Sequence, residues 1–331
     1  MSAAPVSGGA ATPQPPAGAM PGADVAPGAA HPALRGVDTL LYCIGTQKAG
    51  TTWLHAQLQK HRRVHFARKE FHYWDAVRAP FVELRAVPLG PLEPLARRLA
   101  GPSGDRLARL HPKLRRAVLG WRMLLSSPLD HDAYTRFLTL DNPGCRVVGD
   151  VTPSYSLLGR RSFADMAALH PNSRFIFIMR DPVDRLWSGV RHRTRAWARD
   201  PKGGAQVALR AFEDALADPM NADLRRSDYA RTITELEAAV PSHRILYLFY
   251  ETLFSPEQID RLCVFLNIAP FEASFEERTH EGVSYDVRPA ADQMARAREI
   301  LAPSYDFVAA RFGEATPDAW RIAGAATGPR S

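Results

Sequence analysis

Only three cysteines occur in the 331 residues, Cys43, Cys145 and Cys263, and none forms a C-x-x-C pair. That spacing excludes a thiolate zinc site and a disulfide framework, and it suits a reducing compartment. No window of about 18 apolar residues occurs, so no segment reads as a membrane-spanning helix. No repeat of fixed period marks a solenoid. Charge is almost missing from the first 34 residues, where Asp24 stands alone among 11 Ala, 7 Pro and 5 Gly. With no basic start and no run of large apolar side chains, this stretch is not a secretory signal. It buries too little to offset its ordering entropy, so residues 1–36 are expected to form a disordered tail. A linker to something absent and a dispensable extension both fit it. The small-residue stretch 323–331 is expected to fray.

The chain as a whole has ordinary globular composition, 46% hydrophobic and 23% charged, which excludes a wholly disordered or collagen-like chain. Its length suffices for one large domain, placed at 37–322. Lys plus Arg number 42 against 35 Asp plus Glu, a formal charge of +7 that favours anionic ligands without naming them. Residues 76–122 hold ten basic side chains against three acidic ones, and prolines at 80, 88, 91, 94, 102 and 112 cut the segment into short pieces. It reads as a basic helical insertion, bounded at 76–135, lying over a sheet.

Three short apolar runs have the look of strands buried on both faces: Thr39 to Ile44, Arg174 to Met179 and Arg244 to Phe249. Helical patterns follow them at Thr51 to His61, Phe163 to His170, Val183 to Arg193, Asp228 to Val240 and Pro256 to Leu266. Apolar strands alternating with helices predict an α/β fold, with three α/β/α layers around a parallel sheet.

The passage Ile44-Gly45-Thr46-Gln47-Lys48-Ala49-Gly50-Thr51-Thr52-Trp53 carries the most chemistry. A glycine-containing turn at a strand end can aim successive N–H groups at one point, and the next helix adds its positive end. Lys48 adds a full charge, and Thr51 and Thr52 add hydroxyls. The passage reads as a phosphate cradle. It departs from the nucleotide-triphosphatase pattern, because the lysine precedes Gly50 instead of following it. A plain strand–helix turn with a solvated lysine is the competing reading. A second element, Arg180-Asp181-Pro182 through Ser188, puts an arginine at the carboxyl end of a strand, where open parallel sheets bind ligands. Pro182 can open a helix, and Arg180 and Ser188 could grip one oxyanion. The alternative leaves Arg180 paired to Asp181 or Asp184.

Together these stretches resemble the sulfotransferases that use 3′-phosphoadenylyl sulfate. Gln47 to Leu54 looks like their 5′-phosphosulfate loop, a P-loop relative, and Arg180 to Ser188 looks like their 3′-phosphate motif. Phe66-Ala67-Arg68-Lys69-Glu70-Phe71-His72-Tyr73-Trp74-Asp75 resembles the Lys-Glu-x-His segment of the glycan-sulfating branch, and Gly149-Asp150-Val151-Thr152-Pro153-Ser154-Tyr155 is similar to a stretch of bacterial members. The resemblance runs from about Asp38 to Arg321. It implies that Lys48 stabilises the leaving phosphate and that Ala49, Gly50, Thr51 and Thr52 hold the 5′-phosphate. It places Trp53 against adenine, and Arg180, Ser188 and Arg278 on the 3′-phosphate. It makes Glu70 the general base, in an enzyme that passes a sulfuryl group to a hydroxyl on a carbohydrate or glycolipid without a metal. Val151 and the Glu276-Glu277 pair depart from the glycan-sulfating pattern and weaken the assignment of a polysaccharide acceptor.

Sulfuryl transfer needs a base at the acceptor and positive charge at the departing phosphate, so positioning and electrostatics should dominate. Burial beside Phe71, Tyr73 and Trp74 is expected to raise the Glu70 pKa toward neutrality. His72 is a rival base or proton relay; on a strand it would share a side with Glu70. His55, His61 and His65 read as surface or supporting residues, Trp121, Tyr134 and Phe137 as packing, and Trp320 as a seal at the C-terminal end. Two other readings stay open. One is an ATP-dependent P-loop kinase using Asp181 for its metal. The other is a non-catalytic basic protein whose 76–122 segment lies on anionic lipid or nucleic acid, although no nucleic-acid motif accompanies it. The expected location is cytoplasmic, with peripheral membrane contact of the basic segment left open.

Overall fold

The computed structural model describes residues 30–78, 115–116, 118–120, 130–141, 144–195, 201–276 and 287–322. At its centre lies a five-stranded sheet of β1 (Thr39–Gly45), β2 (Val64–His65), β3 (Val147–Val151), β4 (Ser173–Met179) and β5 (Ile245–Phe249). Every pairing is parallel, and the spatial order is β2-β3-β1-β4-β5.

The residues of β1 alternate between two cores. Leu40, Tyr42 and Ile44 face one, with Phe175, Phe177 and Met179 of β4. Leu41 and Cys43 face the other, with Ile176 and Ile178. Period-two alternation with both faces apolar requires a helical layer on each side. The second core is closed by Trp53, Leu54 and Leu58 of helix Thr51–Leu58 and by Ile259, Leu262 and Leu266 of helix Pro256–Leu266. The first is closed by helices that include Arg160–Ala168, Pro182–Thr194, Tyr229–Glu237 and Ala302–Phe312. Burying a Leu or Ile in these layers contributes about 1.5–3 kcal/mol. The fold is thus α/β in three layers.

The strand order positions the site. From β1 the chain goes one way to β2 and later the other way past β1 to β4, so the carboxyl ends of β1 and β4 flank a topological switch point. The register pairs Gly45 with Phe177, so the loops leaving these strands are neighbours.

Two strands escape the sequence pattern. Strand β2 has only two residues, too few for a periodicity. Strand β3 is interrupted by Gly149 and Asp150; at Gly149 a Cβ would come within 2.6 Å of Phe66 Cε1. Order also starts ahead of the expected boundary at residue 36. The His31 N–H donates to Leu169 O at 3.0 Å, and Pro32–Leu34 forms a 3₁₀ turn. Leu34 is fully buried, and that one large side chain anchors an otherwise small-residue stretch. The rest of the expected tail, most of the 76–135 insertion, Trp121 and residues 323–331 lie outside the described residues. In the part of the insertion that is described, Arg115 and Arg116 both pair with Asp141. Tyr134, Phe137 and Trp320 are buried, as packing residues should be.

Candidate functional site

Gly45 ends β1 with φ 126°, and a Cβ there would lie 2.5 Å from Pro153 O, so the close approach of these two chain segments requires glycine. The loop then passes through Lys48 at φ 72° and Gly50 at φ 85°. Two bonds pin it from below: the Thr46 N–H donates to Ile178 O at 2.7 Å, and Thr46 Oγ1 donates to Arg226 O at 3.0 Å. Gly50 is the N-cap of helix Thr51–Leu58 and supplies no side-chain cap. The first N–H groups of that helix, and its positive end, are therefore presented as an anion cradle. Ala49 and Thr51 are buried and Thr52 is half-buried.

Arg180, just past β4, reaches this loop. Its Nη1 donates to Lys48 O at 3.3 Å, and its guanidinium lies 4.7 Å from the centre of the Tyr250 ring. The turn behind it is braced on all sides. Tyr229 Oη donates to Arg180 O at 2.6 Å, and the Asp181 N–H donates to Glu251 Oε1 at 2.8 Å. Asp181 accepts from the N–H groups of Val183 and Asp184, both at 3.0 Å, as N-cap of helix Pro182–Thr194. Tyr305 Oη donates to the same carboxylate at 2.8 Å. Burial pushes the Asp181 carboxyl up, against the pull of its cap bonds and Tyr305. Ser188 lies buried about two turns along that helix.

Charge ties the pieces together. Burial, then Arg180 and Arg191, hold the Lys48 ammonium below the usual lysine range, while Glu70 opposes them. Burial and then the Lys48 charge hold the His192 imidazole down, again against Glu70. Lys48, Arg180, Arg191, His192 and Glu70 thus share one field. Arg191 and His192 were not singled out from sequence. One signal was available: His192 falls four residues after Ser188, on the same helix face.

The Glu70 segment differs from expectation. Lys69 bridges to Val151, but the chain then leaves the sheet, with Glu70 at φ 56° and His72 at φ 62°, and helix Tyr73–Arg78 begins at once. It is no strand, so the shared side argued for Glu70 and His72 does not follow from alternation. Phe71, Tyr73 and Trp74 turn into the core, where Phe71 stacks on Phe137 at 4.5 Å and Tyr73 on Tyr134 at 4.1 Å. The Glu70 side chain stays 47% exposed and paired with Lys69. Desolvation raises its pKa, but the Lys69 charge and hydrogen bond, with His72 and His192, outweigh it and leave the carboxyl below its ordinary range. That sign is opposite to the expected one. His72 Nδ1 meets Asp75 Oδ2 at 2.7 Å and Ser154 Oγ at 3.1 Å.

Trp53 is only 2% exposed, and its Nε1 donates to Ser274 O at 3.0 Å. Its ring packs on Phe254 at 4.9 Å and Phe275 at 6.0 Å, and these two rings are the ones that reach solvent. His61 is buried, which fits the supporting alternative, and its Nδ1 accepts from the Arg63 N–H at 3.2 Å. His65 Nε2 lies 2.9 Å from Leu140 O, and burial drives His55 down to about 4. Arg278 lies outside the described residues.

Residues 41–273 match the model of the sulfotransferase family. Carbohydrate sulfotransferase 15 of Rattus norvegicus is 28% identical over 235 residues, which cover 66% of this chain and 38% of that protein. The Homo sapiens protein of the same name is 29% identical over 192 residues, covering 54% and 31%. The chain therefore spans less than two fifths of the length of these curated relatives. The crystal structure of a sulfotransferase from Alicyclobacillus acidocaldarius shares the fold, with a TM-score of 0.56 and 19% identity over 85% of this chain and 98% of that one. The family match takes in the phosphate loop, the Glu70 segment, Thr152 and Arg180, and the chain belongs to the sulfotransferase family.

Proposed function

We propose that this sulfotransferase draws its sulfuryl group from 3′-phosphoadenylyl sulfate and passes it in line to a hydroxyl of a carbohydrate. The observation that carries the donor assignment is the bond from Arg180 to the Lys48 carbonyl, with Arg191 adding to the same positive field. Cations crowded this closely suit a ligand with several negative charges. When bound, the donor supplies an SO₃ unit on a phosphate leaving group. Ala49, Gly50, Thr51 and Thr52 would hold the 5′-phosphate, and Arg180, Ser188 and Arg278 the 3′-phosphate. Lys48 would neutralise the leaving phosphate. Trp53 backs Phe254 and Phe275, whose exposed faces would meet the adenine.

Glu70 would take the acceptor proton. Held ionised around neutrality, it is always ready to accept, although with less basicity than a carboxylate of raised pKa. His72, steadied at Nδ1 by Asp75, would orient the acceptor or relay the proton. The carbohydrate assignment is supported by the names of the curated relatives. The kinase reading would need Asp181 for its metal, whereas this carboxylate caps helix Pro182–Thr194 and accepts from Tyr305. The test is a mass-spectrometric screen for products gaining SO₃ from 3′-phosphoadenylyl sulfate across sugars, lipids, phenols and tyrosine peptides, beside magnesium ATP. Transfer to sugars alone supports the proposal. Phosphate transfer from ATP, or sulfation confined to non-sugars, would overturn it.

A further inference from the structure

Apart from the Ser154 contact to His72, the stretch Gly149 to Tyr155 takes no part in the chemistry above, yet it places a fully buried carboxylate beside the Glu70 segment. Asp150 Oδ1 accepts from Thr152 Oγ1 at 2.6 Å, and Oδ2 accepts from Tyr134 Oη and Tyr155 Oη, each at 2.8 Å. Two of these hydroxyls have a second partner. The Phe71 N–H donates to Thr152 Oγ1 at 2.9 Å, and the Trp74 N–H donates to Tyr155 Oη at 3.3 Å.

Polarity fixes the direction of both arms. A backbone N–H can only donate, so each hydroxyl oxygen must accept there and send its own hydrogen elsewhere. In both cases that hydrogen goes to Asp150. The two held amides bracket His72, and Phe71 directly follows Glu70, whose own N–H donates to Val151 O at 2.9 Å. Glu70 and His72 both sit at positive φ, a conformation that is costly for non-glycine residues and persists only where the surroundings enforce it.

We propose that Asp150 is a positioning residue: through Thr152 and Tyr155 it clamps the Phe71 and Trp74 amides and so fixes the backbone that carries Glu70 and His72. The inference rests on the reading of Glu70 as the base. A buried aspartate that merely stabilised the fold would show its effect in stability and donor binding together.

The experiment compares wild type with Thr152→Val, Thr152→Ser and Tyr155→Phe. It reads amide hydrogen exchange by NMR, calorimetric affinity for 3′-phosphoadenosine 5′-phosphate, and sulfate transfer from labelled donor to pooled p-nitrophenyl glycosides. Thr152→Val should speed Phe71 exchange about tenfold. It should lower kcat by up to about 100-fold through misplacement of the base, with nucleotide affinity within about twofold of wild type. Thr152→Ser should restore both, and Tyr155→Phe should free the Trp74 amide. Unchanged Phe71 exchange in Thr152→Val would overturn the proposal, as would equal losses in the Val and Ser variants or a parallel loss of nucleotide affinity. The exchange arm needs no acceptor and decides the clamp by itself. Asp150→Asn is the direct variant, but the hydroxyl variants decide the matter even if it fails to fold. Glu70→Gln run alongside separates the two claims: normal kcat there removes Glu70 as the base while leaving the clamp standing.

Discussion

The phosphate-loop side and the Glu70 side share one sheet but are held by different physics. The first hangs directly on strand ends: β1 runs into the loop at Gly45 and β4 runs into Arg180, a helix terminus and the backbone path shape the loop, and Tyr229, Glu251 and Tyr305 brace the Arg180 turn. The second leaves the sheet after the Glu70 N–H donates to Val151 O, and from there it is suspended by the Thr152 and Tyr155 hydroxyls, which converge on Asp150 of β3. A main-chain cradle depends on glycines and on backbone path, whereas a side-chain suspension can be cut by removing one oxygen. The two sides should therefore fail differently.

Chemistry gives the sharpest contrast. Glu70→Gln should cut kcat by about 100- to 10,000-fold while calorimetric affinity for 3′-phosphoadenosine 5′-phosphate stays at the wild-type value. Lys48→Ala should lower kcat by at least about 100-fold and weaken the nucleotide as well. If the two variants behaved alike, the division between the sides would be wrong.

The pH profile sharpens the same comparison. Because its folded-state pKa is depressed, Glu70 stays ionised above the ordinary glutamate range and is lost as a base only when pH falls through that lowered value. The kcat/KM profile should therefore be level from about pH 5 to 7, with any acid limb below about pH 4.5. An acid limb well above the ordinary glutamate range would take the role of base away from Glu70.

Stability effects are smaller. Gly45→Ala forces a Cβ against Pro153 O at a positive φ and should cost about 1–3 kcal/mol, read as a lowered Tm. Asp181→Ala removes a helix cap and should cost about 1 kcal/mol, again in Tm. A larger loss from Asp181 than from Gly45 would mean that the Arg180 turn carries more of the fold than the loop does.

The same contrast explains what was legible in the sequence. The loop from Gly45 to Thr52 and the Arg180 turn could be read because each follows a continuous apolar strand and is punctuated by glycine or proline. Glu70 could be named by resemblance, but its setting could not be derived. The two positive φ values and the inward turn of Phe71, Tyr73 and Trp74 depend on partners about 80 residues away, such as Thr152 and Tyr155. The sign of its pKa shift was missed for a related reason: burial does push the carboxyl up, and is the largest single influence, but the charges of Lys69, His72 and His192 and the Lys69 hydrogen bond together outweigh it. Strand β3 was hidden because the residues that interrupt its apolar run, Gly149 and Asp150, fill structural roles on the buried faces of the sheet. His192 was overlooked because its relation to Lys48 and Glu70 exists only once three separate chain segments are folded together.

The most direct test is calorimetric titration of 3′-phosphoadenosine 5′-phosphate into the wild-type chain and into Arg180→Ala. The wild-type chain should bind one nucleotide, and Arg180→Ala should bind it about 10- to 100-fold more weakly, the loss of a charge-assisted contact to phosphate. No heat of binding in the wild type, or equal affinity in the two, would contradict a site assembled where Arg180 meets the Lys48 loop.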